Sequence, residues 1–158
     1  MNEVRNANEQ TWIWFDLDGT FADLYAVDGW LDDLIAHNTR PYEKAEMMYN
    51  IIEFIETLVA LKRKGYNLGI ISWSSKGNNP TFDKAVTKAK NEWLTKLNLD
   101  LYFDKIIVTP YGVRKADTCR PFGNGILVDD EKPNRDAWDL GETIDATKNI
   151  LEGLTALL

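Results

Sequence analysis

A single cysteine, Cys119, excludes an internal disulfide and any zinc site built on cysteines. The only histidine, His37, falls in a mixed polar segment and reads as a surface residue. Cys119 therefore has no catalytic histidine beside it in the sequence and reads as a small buried side chain. No apolar run approaches the roughly 20 residues that span a bilayer, so no membrane span is expected. The first ten residues, MNEVRNANEQ, are polar and lack the apolar core of a secretory signal. Together with the cysteine count, this makes the cytoplasm the expected compartment. Basic residues are in deficit, 18 Lys+Arg against 25 Asp+Glu, for a net charge of −7. That balance disfavours a nucleic-acid backbone as the main partner and leaves a small anionic substrate, met by a cation or a local basic group. Repeats, low-complexity stretches and Pro/Gly/Ser linkers are all missing, so 158 residues are expected to form one domain, 1–158.

What the chain does have is alternation. After a polar lead-in at 1–10, TWIWF (11–15) is a compact apolar run that stops abruptly at DLDGT and reads as a buried strand. Residues 21–48 are mixed, with a short helix expected around Gly29–His37 and a break at Pro41. From about Tyr42 to Lys64 the apolar residues Ile51, Ile52, Phe54, Ile55, Leu58, Val59 and Leu61 keep helical spacing, and Gly65 is a natural stop. NLGIIS (67–72) reads as a second strand, 81–97 as an amphipathic helix, FDKIIVT (103–109) as a third strand and GILVDD (125–130) as a fourth. The tail from Glu142 reads as helical. Buried strands alternating with amphipathic helices predict an α/β fold: a doubly wound, Rossmann-like parallel sheet flanked by helices, with a small cap insertion (about 21–48) after the first strand.

Parallel sheets gather ligands at the carboxyl ends of their strands. The first strand ends in Asp16 and Asp18, the second in Ser72 and the fourth in Asp129 and Asp130. Lys115 follows the third by a short loop. All the chemistry-bearing residues thus fall at one edge. Asp16 and Asp18 flank a leucine, and Gly19 lets the chain turn away, so one carboxylate can act as nucleophile and the other as general acid and base. Several carboxylates at one rim repel one another unless a hard cation sits among them, and oxygen donors suit magnesium. Ser72 offers a hydroxyl to a phosphate oxygen. Lys115 offers a point charge, with Arg114 its rival. These are the parts for phosphoryl transfer through an aspartyl-phosphate.

DLDGT (16–20), GIIS (69–72), Lys115 and ILVDD (126–130) stand in the order of the four motifs of the haloacid dehalogenase superfamily, and the chain resembles that family from about Trp12 to Trp138. The resemblance implies that Asp16 attacks phosphorus and binds Mg²⁺. It implies that Asp18 is the acid and base, with its backbone carbonyl on the metal, and that Ser72 and Lys115 hold the phosphoryl group. Asp129 or Asp130, with Asp129 slightly favoured, would complete the metal site. An aspartate at position 18 points to the phosphatases of the family. VTPYGVRKAD and ILVDDEKPN resemble its deoxyribonucleotidase-like branch, which implies a nucleoside monophosphate substrate, with Trp73 and Thr20 as candidate substrate contacts. Two alternatives stay open. A small cap also admits nucleic-acid ends or phosphoproteins as substrates, and a catalytically idle domain could bind phosphorylated ligands.

Overall fold

The computed structural model describes residues 9–158, so the lead-in up to residue 8 lies outside the described residues. Within them, five strands form one all-parallel sheet: β1 (Trp12–Phe15), β2 (Asn67–Trp73), β3 (Lys105–Thr109), β4 (Gly125–Asp129) and β5 (Thr143–Asp145), in the order β3-β2-β1-β4-β5. Among the described residues, seven α-helices accompany them: α1 (Trp30–Ile35), α2 (Arg40–Lys44), α3 (Ile51–Lys64), α4 (Pro80–Lys96), α5 (Lys115–Cys119), α6 (Lys132–Asp136) and α7 (Ile150–Thr155). This is the expected α/β, Rossmann-like architecture. No helix among the described residues is long and apolar enough to cross a membrane.

Strand alternation builds two cores. Ile13 and Phe15 of β1, Leu68 and Ile70 of β2, and Ile126 and Val128 of β4 face one side. There they meet Phe54 and Leu58 of α3, Leu94 of α4 and Ile150 of α7. Trp14, Ile71 and Leu127 face the other side, against Ala116 and Cys119 of α5. Both faces of the sheet are covered, which is why its strands read as nearly continuous apolar runs. Cys119 is fully buried, and burial pushes its thiol up to about 12, as fits an inert core residue.

Two expectations are corrected. The helix read over 42–64 is two helices, because residues 45–50 leave the helical path to pair with the segment after β1. Met47 bridges Ala22, the Met48 amide donates to Phe21 O (2.9 Å) and the Asp23 amide to Glu46 O (2.8 Å). Helix α3 then restarts at Asn50, whose side chain accepts from the amides of Ile52 and Glu53. Pro41 lies in the first turn of α2, where its missing N–H costs nothing. The tail is not one helix either. Residues 143–145 pair with β4 as a fifth strand, and α7 begins only after the Asn149 cap.

The insertion over 21–48 is docked rather than loose. The Trp93 indole of α4 donates to Ala45 O (2.7 Å), and Leu24 and Tyr42 pack with Phe82, Val86 and Ala89 of α4. His37 is exposed in a left-handed conformation and stacks on Phe82 at 4.8 Å.

Gly69 marks the tightest packing in the sheet. It pairs with Trp14, and a Cβ built on it would lie 2.3 Å from the Trp14 ring. Trp14 is itself fully buried and stacks on Trp12 at 4.8 Å, so the ring has nowhere to retreat. Gly69→Ala is therefore expected to destabilise by about 1–3 kcal/mol, as overpacking does. In a thermal melt this should lower Tm by roughly 3–10 °C; an unchanged Tm would mean the Trp14 layer can relax.

Candidate functional site

Sheet order sets the position of the site. The chain winds outward from β1 through β2 to β3, then returns to lay β4 against the other side of β1. The crevice beyond the carboxyl ends of β1 and β4 is the switch point where such sheets bind ligands. Phe15 is level with Val128, and the Asp16 amide donates to Val128 O (2.9 Å), so Asp16 emerges beside Asp129.

Lys115, the first residue of α5, lies between these two carboxylates. Its Nζ is 2.8 Å from Asp16 Oδ1 and 2.7 Å from Asp129 Oδ2, with the lysine side chain 3% exposed. Burial opposes its charge, but Asp16 and Asp129 outweigh burial and hold the ammonium well above the usual lysine range. Arg114, the rival at this position, is exposed and pairs with Asp117 and Asp139 instead.

The two acids after β4 point different ways. Asp129 is fully buried, and its carboxylate also accepts from the Glu131 amide (2.9 Å) and from Asn134 Nδ2 (3.2 Å). Asp130 lines the pocket and faces Asp16. Burial and the nearby Asp16 charge push Asp129 up to about 6 and Asp130 up to about 8. Gly19 makes room for Asp130: its φ is +78°, and a Cβ there would lie 2.3 Å from Asp130 Oδ2.

Asp16, Asp129 and Asp130 each offer an oxygen within 4.8 Å of the others, a set that could hold a cation. Asp129 is already committed to three donors, which leaves Asp16 and Asp130 as the pair facing the pocket. The Asp18 carboxylate is not part of this oxygen cluster, although the sequence places all four acids at one rim. It is bound instead by Lys90, at 2.8 Å, and burial holds it above the usual carboxylate range despite that lysine.

Thr20 is fully buried, donates to Asp16 Oδ2 (3.1 Å) and does not line the pocket; it orients the carboxylate and is not placed to contact a substrate. Ser72 lines the pocket near the end of β2. Trp73 is fixed by its indole N–H on Val113 O (2.7 Å) and also lines the pocket, with the Tyr111 ring 4.9 Å away and Lys115 Nζ 5.4 Å from its own ring. The cavity above these residues measures about 540 Å³. Its far wall comes from the insertion, through Tyr25, Trp30 and Tyr42.

Two residues escape the sequence reading. Ser75 lines the pocket with a buried hydroxyl that has no partner among the described residues. Lys90 is 1% exposed on α4. Its signal is present in hindsight: it stands four residues from both Val86 and Leu94, in the apolar row of the helix. No protein-family model and no curated protein sequence matches the chain, so function rests on this geometry.

Titration of the acid pair has a stability consequence. Between the unfolded carboxylate value of about 4 and the raised values of Asp129 (about 6) and Asp130 (about 8), the folded state holds more protons than the unfolded one. Stability must then fall as pH rises through that window. Thermal melts in EDTA are expected to show Tm declining from pH 5 to pH 8, with Asp130→Asn flattening the upper part of the decline. A wild-type Tm that rises over the same range would refute the arrangement.

Proposed function

We propose that the chain is a Mg²⁺-dependent phosphomonoester hydrolase of the haloacid dehalogenase type, acting through an aspartyl-phosphate, with a nucleoside monophosphate as substrate. The carrying observation is Asp16: a carboxylate on the pocket floor, oriented by Lys115 and Thr20, with Asp130 facing it. Hard oxygen donors with a free side toward the pocket fit Mg²⁺, which binds through one or two carboxylates plus substrate phosphate and water. Asp16 and Asp130 would hold it, and Asp129 would stand behind them, holding Lys115. Bound there, the ion would supply positive charge to the phosphoryl oxygens.

The chain's own residues divide the remaining work. An Asp16 oxygen attacks phosphorus, and the bond from phosphorus to the leaving oxygen breaks. Asp18, whose carboxyl is held above the usual range by burial, gives its proton to that oxygen. As a carboxylate it then takes a proton from the water that attacks the acylphosphate, which frees phosphate and restores Asp16. The Ser72 and Ser75 hydroxyls are donors for the phosphoryl oxygens. Lys115 keeps Asp16 aimed and offsets the charge that gathers there.

The walls favour a flat, aromatic leaving group. Trp73 and Tyr111 form one side; Tyr25 and Trp30, edge to face at 5.0 Å, form the other. A volume of about 540 Å³ suits a mononucleotide.

Three measurements test this reading. Asp16→Asn should lower phosphate release by about 10³-fold or more. Trp73→Ala should raise KM for a nucleoside monophosphate about tenfold, since base stacking is worth about 1–3 kcal/mol, and should change KM for glycerol phosphate less. Mg²⁺ at about a hundredfold over its Kd should stabilise by about 2.7 kcal/mol, a Tm rise of roughly 5–10 °C that Asp130→Asn abolishes. Wild-type rates in Asp16→Asn would end the aspartyl-phosphate reading.

A further inference from the structure

Of the buried charged residues among those described, Lys90 alone has no task in the reaction above. Its Nζ donates to Asp18 Oδ2 (2.8 Å), Ser72 Oγ (2.7 Å) and the Trp73 carbonyl (2.6 Å). An ammonium has three protons, and all three are used, so none remains for a substrate phosphate. The Tyr42 ring of the insertion covers it, with the ring centroid 5.1 Å from Nζ. Lys90 is thus closed off from the phosphate while touching two residues that face it.

Asp18 needs such a tie. It lies beyond the end of β1, in the turn that Gly19 reverses, and no other side chain among the described residues donates to its carboxylate. A carboxyl that must reach the leaving oxygen within about 3 Å loses effect when it can swing. Ser72 gains as well: its oxygen accepts from Lys90, which leaves its own O–H to donate into the pocket.

We propose that Lys90 is the positioning residue of the acid: one buried ammonium locks the Asp18 carboxyl to the end of β2 and turns the Ser72 hydroxyl toward the phosphoryl group. The inference rests on the phosphomonoesterase reading. When the bond to the leaving group breaks, its electron pair stays on the leaving oxygen, which takes the Asp18 proton. The carboxylate left behind is paired at once by Lys90, whose own protons stay where they are.

The test is leaving-group dependence, measured as kcat/KM on the full chain with Mg²⁺. The substrates run from p-nitrophenyl phosphate, whose leaving oxygen needs little protonation, to simple alkyl phosphates, which need the acid. Well-placed general acids contribute about 10²–10⁴-fold, so Lys90→Met should cost roughly 10–100-fold on alkyl phosphates and only a few-fold on the nitrophenyl ester. Lys90→Arg should recover part of the alkyl activity. In an Asp18→Asn background Lys90→Met should cost no more on alkyl phosphates than the few-fold it costs on the nitrophenyl ester, as expected when the acid role of the two residues is one unit. Equal losses along the series, or losses that multiply in the double variant, would overturn the proposal and reduce Lys90 to a structural charge. Should Lys90→Met melt below the assay temperature, Lys90→Gln, which keeps a donor without the charge, carries the same comparison. Asp16→Asn separates the two levels: a dead Asp16→Asn with uniform Lys90→Met losses removes only the Lys90 role, whereas an active Asp16→Asn removes the phosphatase reading and the Lys90 role with it.

Discussion

Two neighbouring strands of this sheet end in buried carboxylates, Asp16 and Asp129, and the ammonium of Lys115 makes that tolerable. Isolated charges in such a setting would cost several kcal/mol each. The lysine must therefore arrive with the strands, and it does: α5 begins at Lys115 and seals its Ala116 and Cys119 against Trp14 and Leu127. Removing the lysine would strand two anions, and removing either anion would leave the buried ammonium with a single counter-charge. Much of the rim follows from this one contact. Thr20 and Asn134 satisfy the lone pairs that Lys115 leaves over, and Trp73 lies near its ammonium, 5.4 Å from ring centroid to Nζ.

The second lysine works from the opposite side of the sheet. Lys115 enters with α5 and holds the acids of β1 and β4. Lys90 enters with α4 and holds the acid beyond β1 to the end of β2. The rim is thereby built from both helical layers, and the insertion closes over one of its lysines through Tyr42. That connection gives 21–48 a structural reason to dock on α4 instead of extending into solvent.

Features fixed by local pattern were legible in the sequence. β1, β2 and β4 are buried on both faces and end in polar residues, so the strands and the shared edge of Asp16, Ser72, Asp129 and Asp130 could be read from their apolar runs and polar ends. Lys115 was legible only as a lysine after β3; nothing local distinguishes it from Arg114, and the choice is made by α5 packing on the sheet. Features decided by distant pairing were not legible. Residues 45–50 keep helical composition yet bond to Phe21, Ala22 and Asp23, and 143–145 form a strand only because β4 offers an unpaired edge. Lys90 was hidden for the opposite reason. A lysine in a helix is ordinarily a solvated residue, and its burial here is set by acceptors supplied by β2 and the turn after β1.

Charge across the whole rim gives the last constraint. Asp16, Asp18, Asp129 and Asp130 face only Lys90 and Lys115 among the buried lysines, so with every acid ionised the rim retains two negative charges. Without a cation the folded state relieves this by keeping protons, which is why burial and the Asp16 charge raise Asp130 so far. A divalent ion held by Asp16 and Asp130 would carry that charge itself, while Asp18 stands apart from the cluster, paired with Lys90. In the reaction we propose, dividing the four acids into a pair facing the pocket, an anion held by Lys115 and an acid held by Lys90 would let one crowded rim supply both a nucleophile and an acid.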